Sequence, residues 1–166
     1  KIAAKVDRED KEYFQTQIRP LLDCSLIEFV GEVNEADKNL LLGGARALLF
    51  PIDWPEPFGL VMIEALACGT PVIAFAGGSV PEIIEHGKTG FVVRGMAEAE
   101  KAIARIDKID RALCRAEFES RFSAERMAQD YIRVYLERID QTAAVPVPIG
   151  NSSQTLSQRF VAGAQY

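Results

Sequence analysis

Two glutamates eight positions apart, Glu56 and Glu64, bracket the most distinctive stretch of this chain. It reads Pro51-Ile-Asp-Trp-Pro-Glu-Pro-Phe-Gly-Leu-Val-Met-Ile-Glu-Ala-Leu-Ala-Cys-Gly-Thr70. Eight residues at helical rise separate the two carboxylates by at most about 12 Å, roughly the span of a sugar diphosphate. A Glu is costly to bury without a partner, and Glu64 lies inside an otherwise apolar run. It therefore needs a cation, solvent or a ligand hydroxyl. Spacing alone does not choose between a ligand site and a plainer arrangement, in which Glu56 caps the helix and Glu64 reaches solvent or an Arg.

The flanking residues say how such a pair would be held. A β-rich run, Ala45-Arg-Ala-Leu-Leu-Phe50, enters the stretch, and Pro71-Val-Ile-Ala-Phe75 leaves it. Between them a loop with three prolines leads into a helix over 58–68. Pro57 suits the first helical position, where its missing N–H is not needed. Leu60, Val61, Ile63, Ala65, Leu66 and Ala67 make the helix apolar on nearly every side, so it should be buried. Gly69 stops it. The N–H groups of the first turn, at Phe58, Gly59 and Leu60, then point out of the strand's carboxyl end, where ligands bind in open parallel sheets. Gly59 has no side chain to block approach, and the helix dipole favours an anion.

The run from Glu56 through Glu64, followed by Ala-Leu-Ala-Cys-Gly-Thr-Pro-Val-Ile, resembles the E-x7-E signature of the family-four retaining glycosyltransferases of GT-B fold. The likeness continues through Gly77-Gly-Ser-Val-Pro-Glu-Ile-Ile-Glu-His-Gly-Lys-Thr-Gly-Phe-Val-Val93. It extends weakly back to Phe29-Val-Gly-Glu-Val33 and forward to Phe122-Ser and Tyr131–Tyr135, covering about residues 1–139. The resemblance implies that Glu56 contacts the transferred sugar near the reacting carbon. It implies that backbone at Phe58, Gly59 and Leu60 holds sugar and phosphate oxygens, and that Glu64 accepts hydrogen bonds from the ribose. Gly31, in the segment that meets the nucleotide base, and Gly78 and Ser79, in the loop near the donor, are carried over in the same way. Lys5, at the end of the first strand, faces the ligand crevice if the sheet order is the doubly wound one; a surface lysine is the equal alternative. Trp54 reads as loop packing.

The resemblance also implies what is missing. The family's donor-binding half begins with one more strand and helix, whose basic residues hold the diphosphate. Here the chain starts at Lys1, one βα unit too late. In a doubly wound order that first strand is central, and a sheet without it would carry two long exposed edges. Residues 1–141 thus read as a partial C-terminal donor-binding domain, and 142–166 as a tail or linker. The expected partners are a nucleotide-sugar donor, as substrate rather than cofactor, and an upstream acceptor-binding domain of the same protein. That missing part leaves room for peripheral membrane association. The fragment alone is expected to be inactive. Two other classes stay open: another GT-B enzyme, such as a nucleotide-sugar epimerase or a phosphorylase-like one, and a non-catalytic nucleotide-binding or assembly module.

Composition sets the outer bounds. The 166 residues suffice for one domain with a core, and 48% hydrophobic and 26% charged content is globular. A net charge of −5 with no basic block argues against nucleic acid. Cys24, Cys68 and Cys114 are odd in number and widely spaced, which suggests reduced thiols in a cytoplasmic protein. No Asp-x-Asp occurs and His86 is the only histidine, so no metal is expected. Gly87-Lys88-Thr89 lacks the glycine five residues earlier that a P-loop requires, and a strand follows it. Strands at Lys1–Val6, Ser25–Phe29, 45–50, 71–75 and Thr89–Val93 alternate with helices. That predicts an α/β fold, a Rossmann-like parallel sheet with helices on both faces.

Overall fold

The computed structural model describes residues 1–143. The tail read over 142–166 lies outside the described residues from position 144 on. The chain divides into two compact units, Lys1–Met127 and a second that begins at Ala128. All five strands described below belong to the first unit.

Every strand pairing is parallel, as the alternation of strands and helices requires. β1 (Ile2–Ala3) pairs with β2 (Phe29–Gly31) in one ladder. β3 (Leu48–Phe50), β4 (Val72–Phe75) and β5 (Gly90–Val93) form a second, in the order β3-β4-β5. Leu48 lies opposite Val72, and Val72 opposite Gly90. The five strands thus form two ladders, not one continuous sheet. The central strand β4 is buried on both faces at Val72, Ile73 and Ala74, as expected of a parallel strand covered by helices.

The first strand departs from the sequence reading. It is two residues long and exposed, with Ile2 40% accessible, where Lys1–Val6 reads as a buried strand. No buried core residue precedes Leu42. A strand hydrogen-bonded on one side only, with both of its residues exposed, has little apolar surface hidden. Asp7–Leu22 alternates charged and apolar residues with helical period, which predicts a helix, and that helix is broken. α1 (Lys11–Tyr13) widens into a π turn at Phe14–Ile18 and tightens into a 3₁₀ turn at Arg19–Leu22. Pro20 lies in that last turn and has no N–H to continue an α-helical ladder.

Asn34 with Asp37 three residues on reads as a capping-box-like helix start over Asn34–Leu42, and α2 (Glu35–Gly44) begins there: the Asp37 N–H donates to Asn34 Oδ1 at 2.9 Å, and Asn34 Nδ2 donates to the Asp37 carboxylate at 2.8 Å. α3 (Leu60–Ala67) starts three residues after Pro57, because Gly59 adopts φ +76 and cannot be helical. The expected start at the proline is therefore corrected. Met62, Ala65 and Leu66 are fully buried against β3 and β4. α4 (Val80–Ile83), α5 (Met96–Ile103) and α6 (Arg111–Arg121) complete the unit. Ser123 reads as the cap of a long amphipathic helix running to about Gln141, and α7 (Ala124–Ala143) starts behind it, with the Ser123 Oγ accepting from the Arg126 N–H at 3.2 Å.

Two arginines of α6 satisfy helix-end carbonyls that would otherwise lack donors. Arg111 donates to the carbonyls of Gly43 and Ala45 and to Thr70 Oγ1, and Arg115 donates to Ala67 O. The buried Thr70 hydroxyl donates its own proton to Leu42 O at 2.7 Å. The three cysteines are free thiols; burial pushes that of Cys114 up to about 11.

Glu117, with a side chain only 13% accessible, ties α6 to the turn before β5. It accepts from Arg121 at 2.8 Å and from Lys88 at 3.1 Å. The Arg121 bond foremost, helped by Lys88, holds its carboxyl below the usual 4.5, against the opposing effect of burial. A carboxyl depressed on folding stabilises above its unfolded pKa, and that contribution is lost as pH falls through the folded one. Glu117→Gln should therefore lower the neutral-pH melting temperature by about 4 °C or more, the shift that 1 kcal/mol gives in a domain of this size. The gap from the unaltered chain should close as thermal scans move below pH 4.5. A gap that persists in acid would remove the charge from the explanation.

Candidate functional site

The segment after β3 returns across the carboxyl ends of β4 and β5. Three prolines stiffen it, and Glu56 turns back onto the start of α3. Its Oε1 accepts from the Gly59 N–H at 2.9 Å and from the Phe58 N–H at 3.4 Å. Oε2 accepts from the Trp54 indole N–H at 3.1 Å. The first-turn amides read as open to a ligand are thus engaged at two positions, by a carboxylate of the same chain. The reason is local: Gly59 in the left-handed region lets the chain fold back, and a carboxylate at a helix N-terminus is favoured by hydrogen bonding and dipole together. A carboxylate has about four acceptor positions on two oxygens, and three donors reach this one, which leaves it able to take a hydroxyl.

The loop after β4 presses against the same strap. The Ser79 N–H donates to Glu56 O at 2.8 Å. Gly78 adopts φ +50, and a Cβ there would lie 2.1 Å from Glu56 O and 2.5 Å from Glu56 N. Only glycine permits that approach. Ser79 is 8% accessible, and its hydroxyl makes no hydrogen bond. It sits beside the α3 start, with Oγ 3.6 Å from the Cβ position of Gly59. A buried hydroxyl without a protein partner, next to a helix N-terminus, is free to bond to a group outside the chain. Phe58 and Leu60 are exposed on the rim, at 54% and 64%.

Glu64 lies in the second turn of α3, with its side chain 32% accessible. Its partner is Lys38 of α2, whose Nζ donates to Glu64 Oε1 at 2.7 Å and to Glu35 Oε1 at 2.8 Å. Sequence reasoning requires a partner for Glu64 but does not find Lys38. One signal is available: it is the only basic residue in the helix preceding β3. Trp54, which reads as packing from sequence, is 57% exposed and bonded to Glu56. Together with Asp53, Gly77, Gly78 and Arg94 it lines a cleft of about 350 Å³ at the ends of β3, β4 and β5.

The other two predicted residues sit at the carboxyl ends of the first ladder. Gly31 ends β2 at φ +75, with its carbonyl accepting from the Ala4 N–H at 3.0 Å. Lys5 follows β1 and pairs with Asp7 at 2.7 Å, with more than half of its side chain exposed. Among the described residues no group of three or more metal-ligating side chains is gathered. No helix among them is long and apolar enough to cross a membrane.

Known proteins resemble this chain in sequence and in fold. The family described as glycosyl transferases group 1 matches residues 7–124. The N-acetyl-alpha-D-glucosaminyl L-malate synthase of Bacillus anthracis is 28% identical over 131 residues, covering 69% of this chain and 34% of its own. The phosphatidyl-myo-inositol mannosyltransferase of Mycobacterium leprae is 30% identical over 137 residues, covering 78% and 36%. The chain spans about a third of the length of these curated relatives. Among solved structures, Anabaena HepE in complex with UDP and glucose superposes with a TM-score of 0.68 at 23% identity, covering 81% of this chain and 39% of that one. The sucrose-phosphate synthase of Thermosynechococcus elongatus gives 0.67 at 27%, covering 84% and 38%. The parallel ladders and their helices are thus those of GT-B glycosyltransferases.

The close approach at Gly78 can be isolated by comparison. Gly87 also has positive φ, +84, but a Cβ there meets nothing within 4 Å. Gly87→Ala should cost about 1–2 kcal/mol, the penalty of a left-handed alanine. Gly78→Ala should cost more, since backbone must move as well, with a further drop in melting temperature. Equal losses in the two variants would mean that the strap yields freely.

Proposed function

Because this chain belongs to the group 1 glycosyl transferases, we propose that it is the donor-binding half of a retaining glycosyltransferase, which moves a sugar from a nucleotide diphosphate sugar to an acceptor hydroxyl. The observation that carries the reading is the Glu56 carboxylate at the start of α3, flanked by the close turn at Gly78 and the unpartnered hydroxyl of Ser79.

In this reading the donor's sugar lies against Glu56, whose remaining acceptor capacity takes a sugar hydroxyl. The backbone at Phe58–Leu60 and the Ser79 hydroxyl meet the sugar and phosphate oxygens. Negative charge grows on the diphosphate as the glycosidic bond breaks, and donors fixed in advance at that oxygen stabilise the transition state. Positive charge grows on the anomeric carbon, which the Glu56 carboxylate favours. Glu64 accepts from the ribose, and Gly31 lies along the base. Lys5 is a further candidate for the crevice. The basic residues that neutralise the diphosphate are supplied by an upstream βα unit, which also completes the sheet between the ladders, and the acceptor-binding domain precedes it. The cytoplasm, where nucleotide sugars are made available, is the proposed compartment. Residues 1–166 alone should transfer no sugar; measurable transfer by that fragment would refute this part.

Glu56 has two jobs here, and two substitutions separate them. Glu56→Gln keeps an acceptor for the Gly59 N–H and removes the charge. In the full-length protein it should lower kcat by about tenfold to a hundredfold or more, with donor affinity little changed. Glu56→Ala should add a stability loss of about 1 kcal/mol as the cap is removed. Initial rates across UDP-, GDP- and ADP-sugars, with thermal unfolding alongside, measure both. If Glu56→Gln turns over normally with the preferred donor, the carboxylate is a cap and nothing more.

A further inference from the structure

We propose that Lys38 is a positioning residue for Glu64: from α2 it fixes one carboxylate oxygen and so presents the other to the ribose hydroxyls of a nucleoside diphosphate. The inference rests on the reading of Glu64 as a ribose ligand and deepens it.

The geometry is specific. Lys38 and Glu64 belong to different helices, 26 residues apart in sequence, and meet at 2.7 Å. Both side chains are largely covered, 23% and 32% accessible, whereas Glu35, the second partner of Lys38, is 83% accessible. Glu35 is thus a tether on the solvent side, and Glu64 is the covered end of the triad. An ammonium offers three donors, and two are committed to these carboxylates. Both bonds, Glu35 first, raise the Lys38 pKa above its ordinary 10.5, so the charge is permanent at neutral pH.

The consequence falls on Glu64. Among the described residues only its Oε1 is bonded; Oε2 carries no hydrogen bond. An ionised carboxylate only accepts, so what meets Oε2 must donate. A hydroxyl pair does so, and a phosphate does not. A glutamate left to itself samples several rotamers, which a ligand must then order. Here Lys38 restricts them beforehand, so less is lost on binding. A fully exposed Lys–Glu pair would contribute little to anything; this one is part-buried and spans two helices.

The test uses the full-length protein and calorimetric titration with UDP, GDP and ADP. The tightest of the three is then compared with its 2′,3′-dideoxy counterpart. In the unaltered protein, loss of the hydroxyls should weaken binding by about tenfold or more, the worth of hydrogen bonds to a charged acceptor. In Lys38→Met that penalty should shrink to about threefold or less, because a mispositioned acceptor no longer distinguishes the two ligands. Lys38→Arg should restore most of it. A merely structural lysine would weaken both ligands alike and leave the ratio unchanged, and an unchanged ratio in Lys38→Met overturns the inference. Should that variant fail to fold by circular dichroism, Lys38→Gln carries the same comparison. Glu64→Ala is the separate arm. If it keeps the full penalty, or if the unaltered protein shows none, then Glu64 does not meet the ribose and the underlying reading falls with this one.

Discussion

The hydrogen bond from the Gly59 amide to the Glu56 carboxylate, 2.9 Å long, sets the geometry around it. It requires a left-handed residue just before α3, which only glycine accepts without strain. It holds the strap from Ile52 to Glu56 against the helix start, and that strap in turn receives the Ser79 amide and the close turn at Gly78. The carboxylate thus folds the segment after β3 onto the start of α3, and the backbone carbonyl of the same residue joins it to the loop after β4. Such a carboxylate is stabilised by its cap and keeps its charge and a remaining acceptor position.

Glu64 follows a different logic. Its neighbours Ile63 and Ala65 are buried, so α3 gives it almost no polar surroundings of its own. Its charge is compensated from the adjacent helix by Lys38. The two acidic residues of the motif are thus secured by unlike means, one by backbone amides and an indole, the other by an ammonium. A substitution that disturbs one need not disturb the other, since they share no partner.

Much of this is legible in the residues, and the exceptions have physical causes. The asparagine and aspartate at 34 and 37, the serine at 123 and the glycine at 69 mark helix ends by side-chain or backbone chemistry that acts over three or four residues, and each end falls where they place it. The start of α3 differs from its sequence reading because Pro57 is an equally good local signal, and only the return of Glu56 onto Gly59 displaces it. The partner of Glu64 is invisible in sequence because a 26-residue separation carries no periodicity. The first strand is shorter than its apolar residues promise, since burial needs a neighbour on the other side. The motif identifies the residues that gather at the carboxyl ends; it does not say that two of the amides are already engaged.

The division of the strands into two ladders carries a consequence for how cohesion is distributed. Among the described residues, all of the fully covered apolar side chains belong to the part from Leu42 onward. The β1–β2 ladder is held mainly by backbone bonds and by the Phe14–Phe29 ring pair, 5.0 Å apart. Local opening is therefore cheapest at the amino-terminal ladder, and amide protons there should be traded with solvent long before those of β4. The Lys38–Glu64 bridge joins α2 to α3 just before the covered part begins, and the bonds from Thr70 and Arg111 to the end of α2 lie just beyond it.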